Sequence, residues 1–246
     1  MPRRQLLITL TVILLLLALA SWAATNALFP SEAAPTGQLT VVPLALNTAA
    51  PVKATAIDVA PATEAPSALI IFEIVPAQSQ VSFSIFEKLG GQPNTVVGTT
   101  SEVAGQLALN AQDLSQTQIG VIQVDARTFV TDNQRRNGAI RNFILNTSQY
   151  ELITFTPTAI TGLSGAAQPG QPFTFQVTGD LTIRDVTHSV TFDVTAQGTS
   201  GTQISGSATT IVKRSDFGLQ IPSVPNVANV GEEVTLQINF VAEAKN

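Results

Sequence analysis

Cysteine is absent from all 246 residues. That excludes disulfides, thiolate metal sites, a cysteine nucleophile and the lipid-bearing cysteine of a bacterial lipoprotein. Histidine occurs once, as His188, and one imidazole with scattered carboxylates is a poor start for a metal site. Charge is also scarce. Asp, Glu, Lys and Arg make up 12% of the chain, roughly half the share of an ordinary globular protein. The net charge is −5 and no basic stripe appears, which argues against nucleic acid, whose phosphates need clustered Lys and Arg. No Gly-rich phosphate loop and no paired-carboxylate motif stands out. These absences leave no recognisable catalytic set, so the expectation is a protein without enzymatic activity, cofactor or metal.

One thing present in excess is a long apolar run. Arg3 and Arg4 precede Gln5–Ala24, QLLITLTVILLLLALASWAA, in which there is no charge. About 20 helical residues span roughly 30 Å, the thickness of a bilayer core. Two readings are open for residues 1–24. A retained anchor would put the N-terminus in the cytoplasm and everything downstream outside. A signal peptide would be cleaved after the small residues of Ala18-Leu19-Ala20 or Ser21-Trp22-Ala23. Both export the remainder, as a membrane-anchored domain in the first case and a periplasmic or secreted one in the second. Residues 25–68 follow as a linker, with Ala, Pro and Thr at 24 of 44 positions. Such composition buries too little apolar surface to offset the entropy of ordering, and scattered prolines favour extended chain.

From residue 69 to 246 the pattern is period-two alternation, the mark of half-buried strands. Val81, Phe83 and Ile85 alternate with Gln80, Ser82 and Ser84. Phe173, Phe175, Val177, Gly179, Leu181 and Ile183 keep one parity, as do Val190, Phe192, Val194 and Ala196, and Val234, Leu236, Ile238, Phe240 and Ala242. Further strands are expected over 69–75, 95–100, 103–109, 119–126, 152–161 and 203–213. One stretch breaks the rhythm. TDNQRRNGAIRNFIL, Thr131–Leu145, offers an N-cap at Thr131 or Asp132 and predicts a short helix with Ile140, Phe143 and Ile144 on one face.

His188 lies where parity changes, after Leu181 and Ile183 and before Val190 and Phe192. The pattern places it at the start of the return strand of a hairpin, where a structural role outweighs a catalytic one. Arg135, Arg136 and Arg141 on the helix read as a solvated or salt-bridged face, with headgroup or phosphate contact as the alternative. In KRSDFGL, residues 213–219, Arg214 and Asp216 are expected to tie down a strand end. Asn146-Thr147-Ser148 fits a glycosylation sequon, a signal too short to carry weight.

Four of these stretches, in this order, resemble the YceI-like family of exported bacterial lipocalin-like proteins, often called polyisoprenoid-binding. FEIVPAQSQVSFSI at 72–85 resembles the family's opening strand, turn and S-x-V-x-F. RRNGAIRNFILNTSQYELITF at 135–155 resembles R-D-x-x-I-R-x-x-I-L-x-T-x-x-Y-P-x-x-T-F. GDLTIRDVTHSVTF at 179–192 resembles the G-D-L-T-I-x-G-V-T-x-x-V-T-F hairpin, and KRSDFGL resembles R-S-D-F-G-L. The chain departs at Asn137 for Asp, Glu151 for Pro, Asp185 for Gly, and Gln78 where His is common.

The resemblance covers about 70–246. It implies an all-β fold, an eight-stranded antiparallel lipocalin-like barrel with one short helix, enclosing an apolar tunnel for an isoprenoid or other long-chain lipid, a quinone included. An eight-stranded barrel either fills itself with side chains or holds one slim ligand. Alternation alone selects Phe83, Phe173, Phe175, Val177, Leu181, Phe192 and Phe240 as tunnel residues, with a filled core as the competing reading. The function expected is lipid binding or carriage outside the cytoplasm, with membrane contact through the N-terminal segment. A tethered β-domain that binds protein or glycan is the alternative.

Overall fold

Residues with period-two alternation fold as strands, and the one stretch without it folds as a helix. The structure, a computed structural model, describes residues 39–46, 69–168 and 170–245. The run Gln5–Ala24, and with it the expected anchor or signal peptide, lies outside these residues, as does all of the expected linker except 39–46. Among the described residues no helix is long and apolar enough to cross a membrane.

The strands in chain order are β1 (Ile70–Ile74), β2 (Gln80–Leu89), β3 (Gln92–Thr100), β4 (Val103–Ala104), β5 (Gln106–Leu109), β6 (Gln118–Ile119), β7 (Ile122–Asp125), β8 (Leu152–Thr161), β9 (Phe173–Ile183), β10 (Val186–Ser200), β11 (Gln203–Lys213), β12 (Val227–Ala228) and β13 (Glu233–Ala244). All belong to a single sheet. Several expected strands are interrupted. Pro76–Gln78 forms a 3-10 turn between β1 and β2. Gly105 separates β4 from β5, and Gly120-Val121 separates β6 from β7.

Every ladder is antiparallel. β8, β9, β10, β11 and β13 pair in succession. The other edge of β13 pairs with β2 through its first half and with β1 through its second. β2 pairs with β3, β1 with β5, β5 with β6, β4 with β7, and β7 with β8. Side chains of strands far apart in this order meet in one cluster: Leu181 of β9 and Val124 of β7 share it with Val212 of β11, and Phe83 of β2 and Leu236 of β13 pack against it. A sheet whose distant strands share one cluster must curl with that face inward.

Helix α1, Gln134–Ala139, runs on into one π turn, Ile140–Ile144. Its N-cap is Asn133, one or two residues later than expected. Oδ1 of Asn133 accepts from the backbone N–H groups of Arg135 and Arg136 at 2.9 and 3.2 Å, a cap worth about 1 kcal/mol. The π turn, closed by Leu145 N–H to the Ile140 carbonyl at 2.8 Å, also rotates the expected apolar face. Ile140 is buried, but Phe143 is 59% exposed, because the wider turn closed by an i→i+5 bond carries it out of the stripe.

β9 and β10 form a hairpin with a two-residue turn, Arg184-Asp185. Arg184 holds φ near 60°, and its guanidinium lies over the Tyr150 ring, 5.6 Å from the centroid. After β11 the chain turns sharply through KRSDFGL. Gly218 adopts φ 62°, a left-handed conformation suited to glycine, which lets Leu219 N–H reach the Arg214 carbonyl at 3.0 Å.

Candidate functional site: the apolar inner face

Strand alternation and ladder register together decide which side chains share the inner face. One row across five strands is Phe175, Val194, Ala208, Ile238 and Val81. A second is Phe173, Ala196, Gly206 and Phe240. Val177 lies between Phe192 and Ile160, Phe83 pairs with Leu236, and Leu181 lies between His188 and Phe155. All seven residues selected from the sequence therefore stand on one face.

They differ in burial. Val177 and Leu181 are each 3% exposed, whereas the five phenylalanines are only half-buried. Leu181 belongs to the cluster beneath the helix and the KRSDFGL turn, with Ile140, Leu145, Ile183 and Phe217. A second cluster at the other end joins Phe72, Ile204 and Ala242, with Leu107, Leu109 and Phe240 against it. Phe175 and Phe192 lie along the strands between these two clusters. There the rings Phe175 and Phe192 are half-buried, while their ladder partners Val194 and Val177 are buried.

Three inward rings occupy space left by strand glycines. One edge of the Phe83 ring lies over Gly98 of the neighbouring strand, and a Cβ at Gly98 would overlap it. Phe155 covers Gly179 in the same way, its Cζ 2.7 Å from an added Cβ, and Phe240 covers Gly206 at 2.8 Å. Each pair is cross-strand. Glycine inside a strand forfeits packing and allows close approach, and an aromatic neighbour restores the lost contact along the wall. β11 adds further room with Gly206, Ala208 and Thr210 in sequence on this face.

Sequence reasoning missed Phe155, which meets Phe192 edge-on at 5.0 Å, and Phe129, which meets Phe83 at 5.5 Å. Glycines at inward parity inside strands, Gly98, Gly179 and Gly206, were the available signal.

Polar groups gather at the end covered by α1. Glu87 shares the inward parity of Phe83 and Ile85 and is 5% exposed. Its Oε1 accepts from Arg136 at 3.0 Å and from Nδ2 of Asn94 at 2.9 Å, so the helix is pinned to the β2–β3 hairpin by a charge-assisted bond. Arg136 also pairs with Asp132, which accounts for one of the three helix arginines as a salt-bridged group. His188 lies two residues into β10. Its Nε2 lies 2.8 Å from the Asp216 carbonyl oxygen and its ring stands edge-on to buried Phe217 at 5.2 Å. The single histidine fastens the hairpin to the KRSDFGL turn. Among the described residues no cluster of His, Asp and Glu is arranged to hold a metal ion.

Arg214 ties the strand end, as its position suggested, though through Glu232 and not Asp216. Its Nε donates to the Gly231 carbonyl at 3.0 Å, one terminal nitrogen to the Leu219 carbonyl at 3.1 Å, and the other pairs with Glu232.

The sequence profile of the YceI-like domain matches residues 72–242. The chain belongs to the YceI-like family. Solved structures agree on the fold. BcnA of Burkholderia cenocepacia is 23% identical, with a TM-score of 0.53 over 68% of this chain and 98% of its own. A polyisoprenoid binding domain from Saccharophagus degradans implicated in plant cell wall breakdown is 17% identical, with a TM-score of 0.55 over 72% of this chain and all of its own. At such identities the likeness is one of fold. Comparison with curated proteins finds no match.

Proposed function

We propose that this YceI-like chain binds a polyisoprenoid or similar amphipathic lipid, quinones among the candidates, along the inner face of its curled sheet, and does so without catalysis outside the cytoplasm. The observation that carries the reading is the set of inward phenylalanines packed over strand glycines on one apolar face, with Phe175 and Phe192 only half-buried. Taking β1 with β2, β3 with β4 and β5, and β6 with β7 as single bent strands, and setting β12 aside, the ladders run round eight strands and return to β13. That supports the barrel count. An apolar tail burying on the order of 300 Å² would gain roughly 7 kcal/mol at ~25 cal/mol per Å², before the cost of ordering it. The polyisoprenoid-binding description of the Saccharophagus degradans domain supports the same ligand class. The apolar run Gln5–Ala24 supports export and attachment to a membrane.

The experiment is a titration of solvent-extracted full-length chain with a long-chain polyisoprenol, beside Phe175→Trp. Saturable one-to-one binding that is lost in the Trp variant, at similar thermal stability, supports the reading. A parent that binds no isoprenol and is strongly destabilised by the larger ring would have a filled core. One observation favours the second reading, an interaction module: outward-facing Phe86 and Val97 on the β2–β3 ladder are 43% and 48% exposed.

A further inference from the structure

β5 is dry on the side where an outer face should be wet. Gln106 and Ala108 alternate with Leu107 and Leu109, so they point away from the lumen. Yet Gln106 is 6% exposed and Ala108 is fully buried. Against this side runs Leu39–Leu46, LTVVPLAL, a stretch with neither strand nor helix, inside what composition assigns to a linker.

The seat is specific. The Leu44 N–H donates to Oε1 of Gln106 at 3.0 Å. The Leu44 side chain lies over Gly120, where an added Cβ would stand 3.3 Å from Leu44 Cδ1 and 3.2 Å from the Gln106 carbonyl oxygen. Glycine is the residue that leaves this space open. The Gln106 amide is oriented from its other end. Its Nε2 donates to Oε2 of Glu73 at 2.9 Å, and Nζ of Lys245 donates to the same oxygen at 2.9 Å. With the amide nitrogen committed to a carboxylate, the amide oxygen faces the Leu44 N–H. Leu39, Val41 and Leu44 are half-buried, while Val42 and Leu46 stay exposed at 39% and 37%. Lone exposed apolar residues are ordinary. What marks this stretch is the hydrogen bond and the glycine seat.

We propose that Leu39–Leu46 is a strap, docked within the same chain on the outer side of β5 and over Gly120, that converts a long tether into a short lead. The consequence rests on the membrane-anchored reading. With the strap seated, the chain between the apolar run and the domain is residues 25–38, which extend at most about 50 Å at ~3.5 Å per residue. Released, residues 25–68 would reach about 150 Å. Seating the strap thus shortens the reach available to the domain about threefold.

Hydrogen exchange read by mass spectrometry on the full-length chain tests this. Peptides spanning 41–46 should exchange at least tenfold more slowly than free chain of the same sequence. Gln106→Ala removes the acceptor, and Gly120→Val fills the seat while leaving Gln106 in place. Each should raise exchange over 41–46 about tenfold, with the β9–β10 amides unchanged as a check on folding. Free-chain exchange over 41–46 in the parent, or protection that survives both substitutions, overturns the strap. Protection that disappears on dilution assigns the seat to a second copy and overturns docking within the chain. The readout is independent of lipid, so an empty lumen and an undocked strap are separate results.

Discussion

The ring of Phe240 stands where a side chain on Gly206 would stand, its Cζ 2.8 Å from the position of an added Cβ. The two are partners across the β11–β13 ladder. Phe83 likewise occupies the space over its partner Gly98, and Phe155 the space over Gly179, diagonal to it because Phe155 pairs with Leu181. Each glycine leaves the space that an inward ring occupies.

Gly98→Ala tests this with the least collateral damage. The atoms its Cβ would meet all belong to the Phe83 ring, whereas at Gly206 and Gly179 backbone oxygens also stand at 2.5 Å. The ring should swing into the lumen, at an overpacking cost of about 1–3 kcal/mol. Isoprenoid affinity should fall tenfold or more, and a Gly98→Ala/Phe83→Leu double variant should recover part of it. Unchanged affinity, measured by the same titration, would separate the rings from the ligand.

A charge on the inner face should act differently from one on the outer face. Val177 is 3% exposed between Phe192 and Ile160. Val177→Asp buries an unpaired carboxylate at a cost of several kcal/mol and should abolish lipid retention. The matched control is Thr174→Asp on the outer face. Gln176 is a poorer choice because its amide donates to Asp193 at 2.9 Å, and a second carboxylate there would repel the first. Melting temperature and retained lipid, measured together, check the pair.

Much of this was legible beforehand because alternation of Phe, Val and Leu in long strands fixes which side faces inward, and Phe173–Ile183 keeps parity without a break. Legibility failed where geometry departs from regular repeats. Phe143 shares helical spacing with Ile140, but a π turn carries it into solvent. The N-cap fell to Asn133 because its side chain, not that of Thr131 or Asp132, reaches the first free N–H groups. Thr131 is occupied otherwise, its N–H and hydroxyl both donating to Oδ1 of buried Asn137 at 2.7 Å. Leu39–Leu46 looked like linker since composition carries no information about a partner such as Gln106. The ring-over-glycine contacts depend on cross-strand register, which sequence parity alone leaves free.

Arg214 should matter to stability and not to ligand choice. It holds the Gly231 and Leu219 carbonyls and pairs with Glu232. Arg214→Ala should cost about 1.5–3 kcal/mol, seen as a lower melting temperature, with isoprenoid selectivity unchanged. Loss of binding at unchanged stability would instead place this arginine at a lipid headgroup.

Acid should weaken the domain partly through Glu73. The Gln106 amide, and then Lys245, hold its carboxyl below the ordinary value of 4.5. A depressed carboxylate pKa adds stability above the unfolded value and loses it as pH falls through the folded one. Melting temperatures between about pH 6 and pH 3 should therefore fall less steeply for Glu73→Gln than for the parent. Identical slopes would remove Glu73 from the acid response.

The central claim is that the lumen holds a lipid. Native mass spectrometry of the purified full-length chain, before and after solvent extraction, tests it most directly. The account predicts a single adduct per chain that extraction removes, an isoprenoid in the extract, and no adduct on Val177→Asp. A chain that flies at its bare mass, from an extract without isoprenoid and with no uptake when isoprenol is added back, would contradict it.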